Sequence, residues 1–317
     1  VGNAKNAGKT TVLNKIVESD EQNYIITSIG LDGEAIDQVT FLEKPQVYVR
    51  KNDIVVTAKE TLSAFECDYE IIEETNIQSA IGPMVICKIL SYGKVLVAGP
   101  SRVSDMQKIV DNLSQKYSHK ILVDGAFFRQ SFAKVSDGTI YVVGANDSKD
   151  MQTTIDNAYL NYLKLTLPEV KNIYPCVNGE NHVCLIEKNT IKRMHFSSLI
   201  GHLDTLFNHI NDQTKAIFIP KTITDEFVQK WTNSHSKLSF DIIVESGVNI
   251  QLNSDMINKF FILANHVYTK HPMDVLAVCI NPYSPRGYQY QPSHFKSKME
   301  EKFMCDVINV KEGDHNE

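Results

Sequence analysis

The chain has 317 residues, 43% of them hydrophobic and 22% charged, ordinary values for a globular protein with core enough for two domains. A formal charge of −6, with no basic stripe interleaved with aromatics, argues against a general nucleic-acid binder. No apolar run has the length of a membrane-spanning helix, and six scattered cysteines without a C-x-x-C pair suggest buried thiols of a reducing compartment, with cytoplasm as the expected location.

The first predicted element is also the most informative. Gly2-Asn3-Ala4-Lys5-Asn6-Ala7-Gly8-Lys9-Thr10-Thr11 runs straight into the helical pattern Val12, Leu13, Ile16, Val17, as a phosphate-binding loop does. Such a loop aims successive backbone N–H groups at the β- and γ-phosphates of a nucleotide. Lys9 would add positive charge, and the Thr10 hydroxyl would ligate Mg²⁺. Five residues separate Gly2 from Gly8 where the usual pattern has four, and Asn3 holds the standard glycine position, so the loop reads as a lengthened one. A chance Gly-Lys-Thr helix start is the bland alternative. A phosphate loop normally follows a buried parallel strand, whereas only Val1 precedes this one. The expectation is therefore that the recorded chain lacks its first native residues, and no targeting segment can be read from it.

Next, Tyr24–Ile29 reads as a short strand ending in Gly30-Leu31-Asp32-Gly33-Glu34. Gln46–Arg50 with Ile54–Ala58, and Met84–Leu90 with Val95–Ala98, look like two β-hairpins. Ser101 is the expected N-cap of a helix with Met106, Ile109, Val110 and Leu113 on one face. Ile121–Val123 is an apolar strand ending in Asp124, and Thr139–Val143 another ending in Gly144-Ala145-Asn146-Asp147, with a helix from Lys149 to about Leu163. Pro168 and the polar stretch to Asn181 give the best boundary, dividing the chain into 1–167 and 168–317. Beyond it come a hairpin (His182–Glu187, Ile191–Met194) and a helix from Ser197 to His209. Strands at Ala216–Ile219, Phe240–Val244 and Val275–Ile280 then alternate with helices opening at Thr224 and Ser254, the rhythm of a parallel α/β arrangement. The expected fold is α/β: a P-loop NTPase-type, mostly parallel sheet with β-hairpin additions, followed by a second α/β domain.

Nucleotide hydrolysis needs an acid to hold Mg²⁺ at the carboxyl end of a neighbouring strand, and Asp124, followed by Gly125-Ala126, fits. Its alternative is a strand-end acid that caps the next segment. Asp32, and after it Glu34, lie in a glycine-flanked segment built like a switch loop that senses a γ-phosphate or positions water, and they could equally belong to a solvated turn. Lys5 could reach the γ-phosphate of its own nucleotide or of one across a homodimer, or face solvent. Asn146 is placed to touch the base or to start a helix. The guanine-reading Asn-Lys-x-Asp signature is absent, which favours ATP. His202 and His209 share a predicted helical face without a third metal ligand, and Trp231 with Phe227 reads as core. The run Asn281–Tyr290 is a tyrosine-rich loop that either contacts a ligand or partner or simply connects elements.

With these residues in view, a resemblance emerges. The loop Gly2–Thr11 is similar to those of the dethiobiotin-synthetase-like and signal-recognition-like branch of P-loop proteins. The order Gly30-Leu31-Asp32-Gly33-Glu34, Ala98-Gly99-Pro100-Ser101, Asp124-Gly125-Ala126 with Arg129 and Ser131, then Gly144-Ala145 and Ser148, resembles the ATPase subunit of the lysine 5,6-aminomutase reactivase. The Asn281-Pro282 and Ser284-Pro285-x-Gly287 segment is similar as well. That resemblance implies an ATP- and Mg²⁺-dependent subunit that works with a second, mismatch-repair-ATPase-like subunit. Together they would release damaged cobalamin from an adenosylcobalamin- and pyridoxal-phosphate-dependent lysine or ornithine aminomutase. The chain lacks the Asp-x-His-x-x-Gly cobalamin pattern, as expected if the mutase holds that cofactor. The competing expectation is a dethiobiotin-synthetase-like ligase or kinase acting on a small metabolite, and a third is a nucleotide-dependent scaffold with negligible turnover.

Overall fold

The computed structural model describes residues 1–4, 6–29, 46–125, 136–188 and 190–311. In chain order its elements begin with α1 (Lys9–Ser19), β1 (Tyr24–Ser28), β2 (Val47–Val49), β3 (Ile54–Ala58), β4 (Tyr69–Gln78), β5 (Pro83–Ile89) and β6 (Gly93–Val95). Then come α2 (Val103–Lys116), β7 (Lys120–Asp124), β8 (Thr139–Gly144), α3 (Met151–Leu165), β9 (Cys184–Glu187), β10 (Ile191–Arg193) and α4 (Leu203–Phe207). The chain continues with β11 (Thr214–Ile219), α5 (Asp225–His235), β12 (Asp241–Val244) and α6 (Ser254–Leu263). It closes with β13 (Val267–Thr269), β14 (Val275–Asn281), α7 (Pro292–Glu300) and β15 (Val307–Asn309). The fold is mixed α/β, and among the described residues no helix is long and apolar enough to cross a membrane.

Two compact units share the chain. Unit 1 comprises Val1–Val135, Ile140–Thr154 and Ala277–Glu317; unit 2 comprises Ser136–Thr139 and Ile155–Leu276. The carboxy-terminal forty-odd residues thus return to the first unit, an interleaving that carries no punctuation in the sequence.

In unit 1 a five-stranded sheet has the order β4-β5-β3-β1-β7, with β1 parallel to β3 and to β7 and with β5 antiparallel to β3 and β4. Both faces are covered, so the alternating side chains of one strand serve two cores. Tyr24 and Ile26 pack with Leu13 and Val17 of α1 and with the β2–β6 ribbon, while Ile25 packs with Ile54, Val56 and, from α2, Ile109 and Leu113. A second sheet has the order β15-β14-β8, and Val1–Asn3 run along β8 in parallel. Their backbone bonds are Val142 N–H to Val1 O at 2.8 Å and Asn3 N–H to Val142 O at 2.9 Å.

The two hairpins expected from the sequence are not formed. β2 pairs with β6 and β3 with β5, whereas the true hairpin joins β4 to β5. The reason lies at Asp53, which is wholly buried. Its carboxylate accepts the Tyr24 N–H at 2.9 Å and the Arg50 N–H at 2.7 Å, with the Asn23 amide at 3.3 Å. The turn before β3, with Asn52 at φ 75°, is therefore tied to β1, and β2 peels away to the ribbon. α2 begins one residue later than expected, capped by Arg102 without a side-chain bond.

Unit 2 is a sheet of order β10-β9-β11-β12-β13, parallel across β11, β12 and β13 and antiparallel at β9 and β10. On one face Trp231, stacked on Phe240 at 4.2 Å, anchors a core with Phe227, Ile217 and Ile242. Ala216, Phe218 and Ile243 fill the other face. The helix expected over 197–209 shrinks to α4: Gly201 takes φ 75° and Phe196 stacks on His202, so the chain turns before it coils. His202 and His209 then flank α4 rather than share its face. Lys270 Nζ lies 2.9 Å and His271 Nε2 3.1 Å from the two oxygens of Glu245. Among the described residues no disulfide is formed; Cys87, Cys184 and Cys279 are buried and Cys176 is exposed.

Two consequences for stability follow. Asp53→Ala leaves the Tyr24 and Arg50 amides without an acceptor, so chemical denaturation should read a loss of about 3 kcal/mol, against almost none for the exposed Asp111→Ala. Burial opposes ionisation of Glu245, yet Lys270 and His271 more than offset it and hold the carboxyl below its ordinary value. A depressed carboxyl stabilises the fold above its unfolded-state value and loses that contribution as pH falls through the folded one. Melting curves of Glu245→Gln should accordingly depend less steeply on pH below about 5 than those of the wild type.

Candidate functional site

The loop 2–11 forms a compact turn whose backbone is set by two left-handed residues. Asn6 adopts φ 61°, which asparagine tolerates, and Gly8 adopts φ 105°, which glycine alone takes without strain. Gly8 caps α1 with no side-chain hydrogen bond, and no acid occupies the first turn. The amides that open the helix, together with the positive end of its dipole, are thereby left for an anion.

Close backbone approach fixes the loop from the other side. A Cβ on Gly144, the last residue of β8, would lie 2.7 Å from Ala7 Cα and 2.8 Å from Ala7 O. The Gly144 N–H donates to Asn3 Oδ1 at 3.1 Å, which orients the Asn3 amide. Asn3 Nδ2 is then buried with no partner among the described residues, a costly state for a donor unless a ligand accepts from it. Lys9 folds its stem over Gly2, whose added Cβ would meet Lys9 Cγ at 3.0 Å. Thr10 is buried on the inner face of α1, and Thr11 is exposed.

The acid expected at a strand end lies at the carboxyl end of β7, paired with Ser28 of β1. α1 packs against β7. Asp124 and the loop lysine act on a common point. Both lie close enough to the backbone nitrogen of Val1 to act on it electrostatically. Gly99 comes down on the same strand ends, since a Cβ there would overlap Ser28 O at 1.5 Å. The Ala98 N–H donates to Thr57 Oγ1 at 2.9 Å and holds that segment in place.

Asn146 turns back towards the loop, its Oδ1 lying 2.6 Å from where a Gly144 Cβ would sit. The tyrosine-rich segment after β14 covers this corner. Tyr288 Oη lies 2.7 Å from Ala145 O and 2.9 Å from Ser148 O, and Tyr290 shares a 2.8 Å hydrogen bond with Thr154. At the end of β14, Asn281 Nδ2 is 3.0 Å from the position of a Gly8 Cβ. Reading along the chain did not connect Asn281 with the loop; a strand that ends in Asn-Pro is the available signal. Lys5, Asp32 and Glu34, along with Arg129 and Ser131, lie outside the described residues. Ile29, the last described residue before 46, donates its N–H to Asp124 O at 2.9 Å.

These groups suit a phosphate ester and a hard cation. Uncapped helix amides, the orphaned Asn3 amide and Lys9 match phosphate oxygens, while one hydroxyl and one carboxylate match Mg²⁺, which takes few protein ligands and completes its shell with phosphate and water. Among the described residues no group of three or more His, Cys, Asp or Glu forms a metal cage.

Gly144→Ala should push Ala7 off β8, so the Asn3 amide, bonded to Val142 O, should exchange with solvent deuterium at least tenfold faster while the amides of β3 stay protected. Unchanged exchange at Asn3 would refute the contact. No family model, curated protein or solved structure significantly matches the chain.

Proposed function

We propose that unit 1 binds ATP with Mg²⁺ at the loop 2–11 and hydrolyses it. The observation that carries this reading is the left-handed turn at Gly8, which opens an uncapped helix directly after a loop held against β8. In the proposed complex the amides of Asn3, Ala4, Asn6, Ala7 and Gly8 contact the phosphates, with Lys5 beside them. Lys9 neutralises their charge, and Thr10 and Asp124 hold the cation, with Asp32 as its further ligand. Asp32 or Glu34 orients the attacking water, and Asn146 contacts the base. Magnesium, when bound, supplies charge neutralisation across the transferred phosphoryl group.

The use of that hydrolysis is proposed from the resemblance alone: the chain is the ATPase subunit of a reactivase. With a mismatch-repair-ATPase-like subunit it would drive a cobalamin-dependent lysine or ornithine aminomutase to release damaged cofactor. Turnover that rises on adding cobalamin-damaged aminomutase supports this role, whereas turnover that requires a small metabolite favours a ligase or kinase.

Lys9→Ala should weaken ATP affinity about a hundredfold by calorimetry with little change in melting temperature, the loss of one charge-assisted contact to a polyphosphate being worth about 3 kcal/mol. Asp124→Asn should lower affinity in magnesium and leave binding in EDTA nearly intact. Wild-type affinity in Lys9→Ala would end the phosphate-loop reading, and equal losses with and without magnesium would make Asp124 structural.

A further inference from the structure

Two histidines of unit 2 lie against carboxylates, and the two carboxylates differ in what else they hold. Glu245 is shared between His271 and the Lys270 ammonium, which neutralises it within the fold. Asp241, the first residue of β12, has no lysine or arginine partner among the described residues. One of its oxygens accepts the Tyr174 hydroxyl at 2.7 Å, and the other lies 3.2 Å from Nδ1 of His266. Two neutral groups thus surround a full negative charge.

The backbone fixes where the imidazole stands. Asn265 donates its N–H to Phe240 O at 3.1 Å, and Ile242 donates its own to His266 O at 2.9 Å, so the chain is pinned on both sides of Asp241. The Tyr268 ring flanks the imidazole at 5.8 Å and meets the Tyr174 ring edge-on at 6.3 Å. The Asp241 side chain is 11% exposed, whereas that of His266 is 68% exposed. An ionised carboxylate accepts and does not donate, so the proton belongs on Nδ1 and the lone pair on Nε2. Nε2 has no partner among the described residues. An ordinary surface ion pair joins two mobile, solvated side chains and is worth little. Here one partner is buried and already held by a tyrosine, and it orients a ring whose other nitrogen is left unclaimed.

We infer that His266 is a phosphoryl-accepting histidine, a covalent modification site in unit 2 whose donor is of the phosphoramidate or acyl-phosphate class. The inference does not depend on the nucleotide reading. The Nε2 lone pair forms the N–P bond while the bond from phosphorus to the leaving group breaks, and the leaving group departs with that electron pair. The ring becomes cationic and keeps its Nδ1 proton, and the Asp241 carboxylate stabilises the new charge. Phosphorus suits this pair, because the product has its cation towards a buried carboxylate and its anionic oxygens on an exposed side chain.

The test incubates the full chain with potassium phosphoramidate and, separately, with acetyl phosphate, and maps phosphohistidine by mass spectrometry at neutral pH. His195 and His294, both exposed and without a carboxylate partner among the described residues, are references within the same molecule. At least one donor should modify His266 about tenfold faster than either reference, with the label lost in acid and kept in alkali. Which donor does so separates the phosphoramidate from the acyl-phosphate source. Asp241→Asn, which keeps the shape and removes the charge, should bring His266 down to the rate of the references. A His266 rate equal to theirs with both donors, or one that Asp241→Asn leaves unchanged, overturns the inference. The comparison among histidines is made in the wild-type chain and decides the matter even if Asp241→Asn does not fold.

Discussion

The approach of Ala7 to Gly144 is the constraint on which the rest of unit 1 depends. Two backbones meet there at a distance that excludes a Cβ. That meeting holds the loop on β8, and within it Asn6 and Gly8 take left-handed conformations. An uncapped helix start would ordinarily fray. Here α1 is kept in place by Leu13 and Val17, buried against β1 and the β2–β6 ribbon. The cost of leaving the opening amides unsatisfied is thus borne by packing on the opposite face of the same helix.

The same logic explains why glycines cluster at strand ends in this unit. Gly99 lies on Ser28 and Gly144 on Ala7, both where parallel strands finish. Strand ends are where side chains stop defending the backbone, so a second backbone can come down on them. Asp124 stands in that row with Ser28 beside it, and both it and Lys9 lie near Val1. A carboxylate and an ammonium are thereby brought to one place by elements more than a hundred residues apart.

Local signals in the sequence were legible where chemistry is local. The Gly8-Lys9-Thr10 helix start, the strand end at Asp124, the succession β11, α5, β12, α6 and the Trp231–Phe227 core all follow from spacing and residue type, whereas the third strand of that rhythm, Val275–Ile280, is β14 of another sheet and β13 was not read. Pairing partners were not legible. β2 and β3 have hairpin spacing, yet a single buried acid at Asp53 redirects them, and nothing in the sequence marks Asp53 as buried. The short helix over Leu203–Phe207 was read long because its apolar period runs through Gly201, whose left-handed turn outweighs that period. α7 was overlooked, although Pro292 at its first turn is a recognised start signal. The return of the carboxy-terminal segment to unit 1 follows from long-range pairing of β14 and β15 with β8, which no local window contains.

Buried charge divides the molecule into solved and unsolved cases. Asp53 is solved by two backbone amides and a side-chain amide, and Glu245 by a lysine and a histidine. Each makes its surroundings more rigid, because its partners come from different elements. The Asn3 amide, by contrast, is buried with no partner among the described residues. In the proposed complex that amide, held in the loop 2–11 by the Gly144 N–H on its oxygen, finds its acceptor in the phosphate, which arrives from solution.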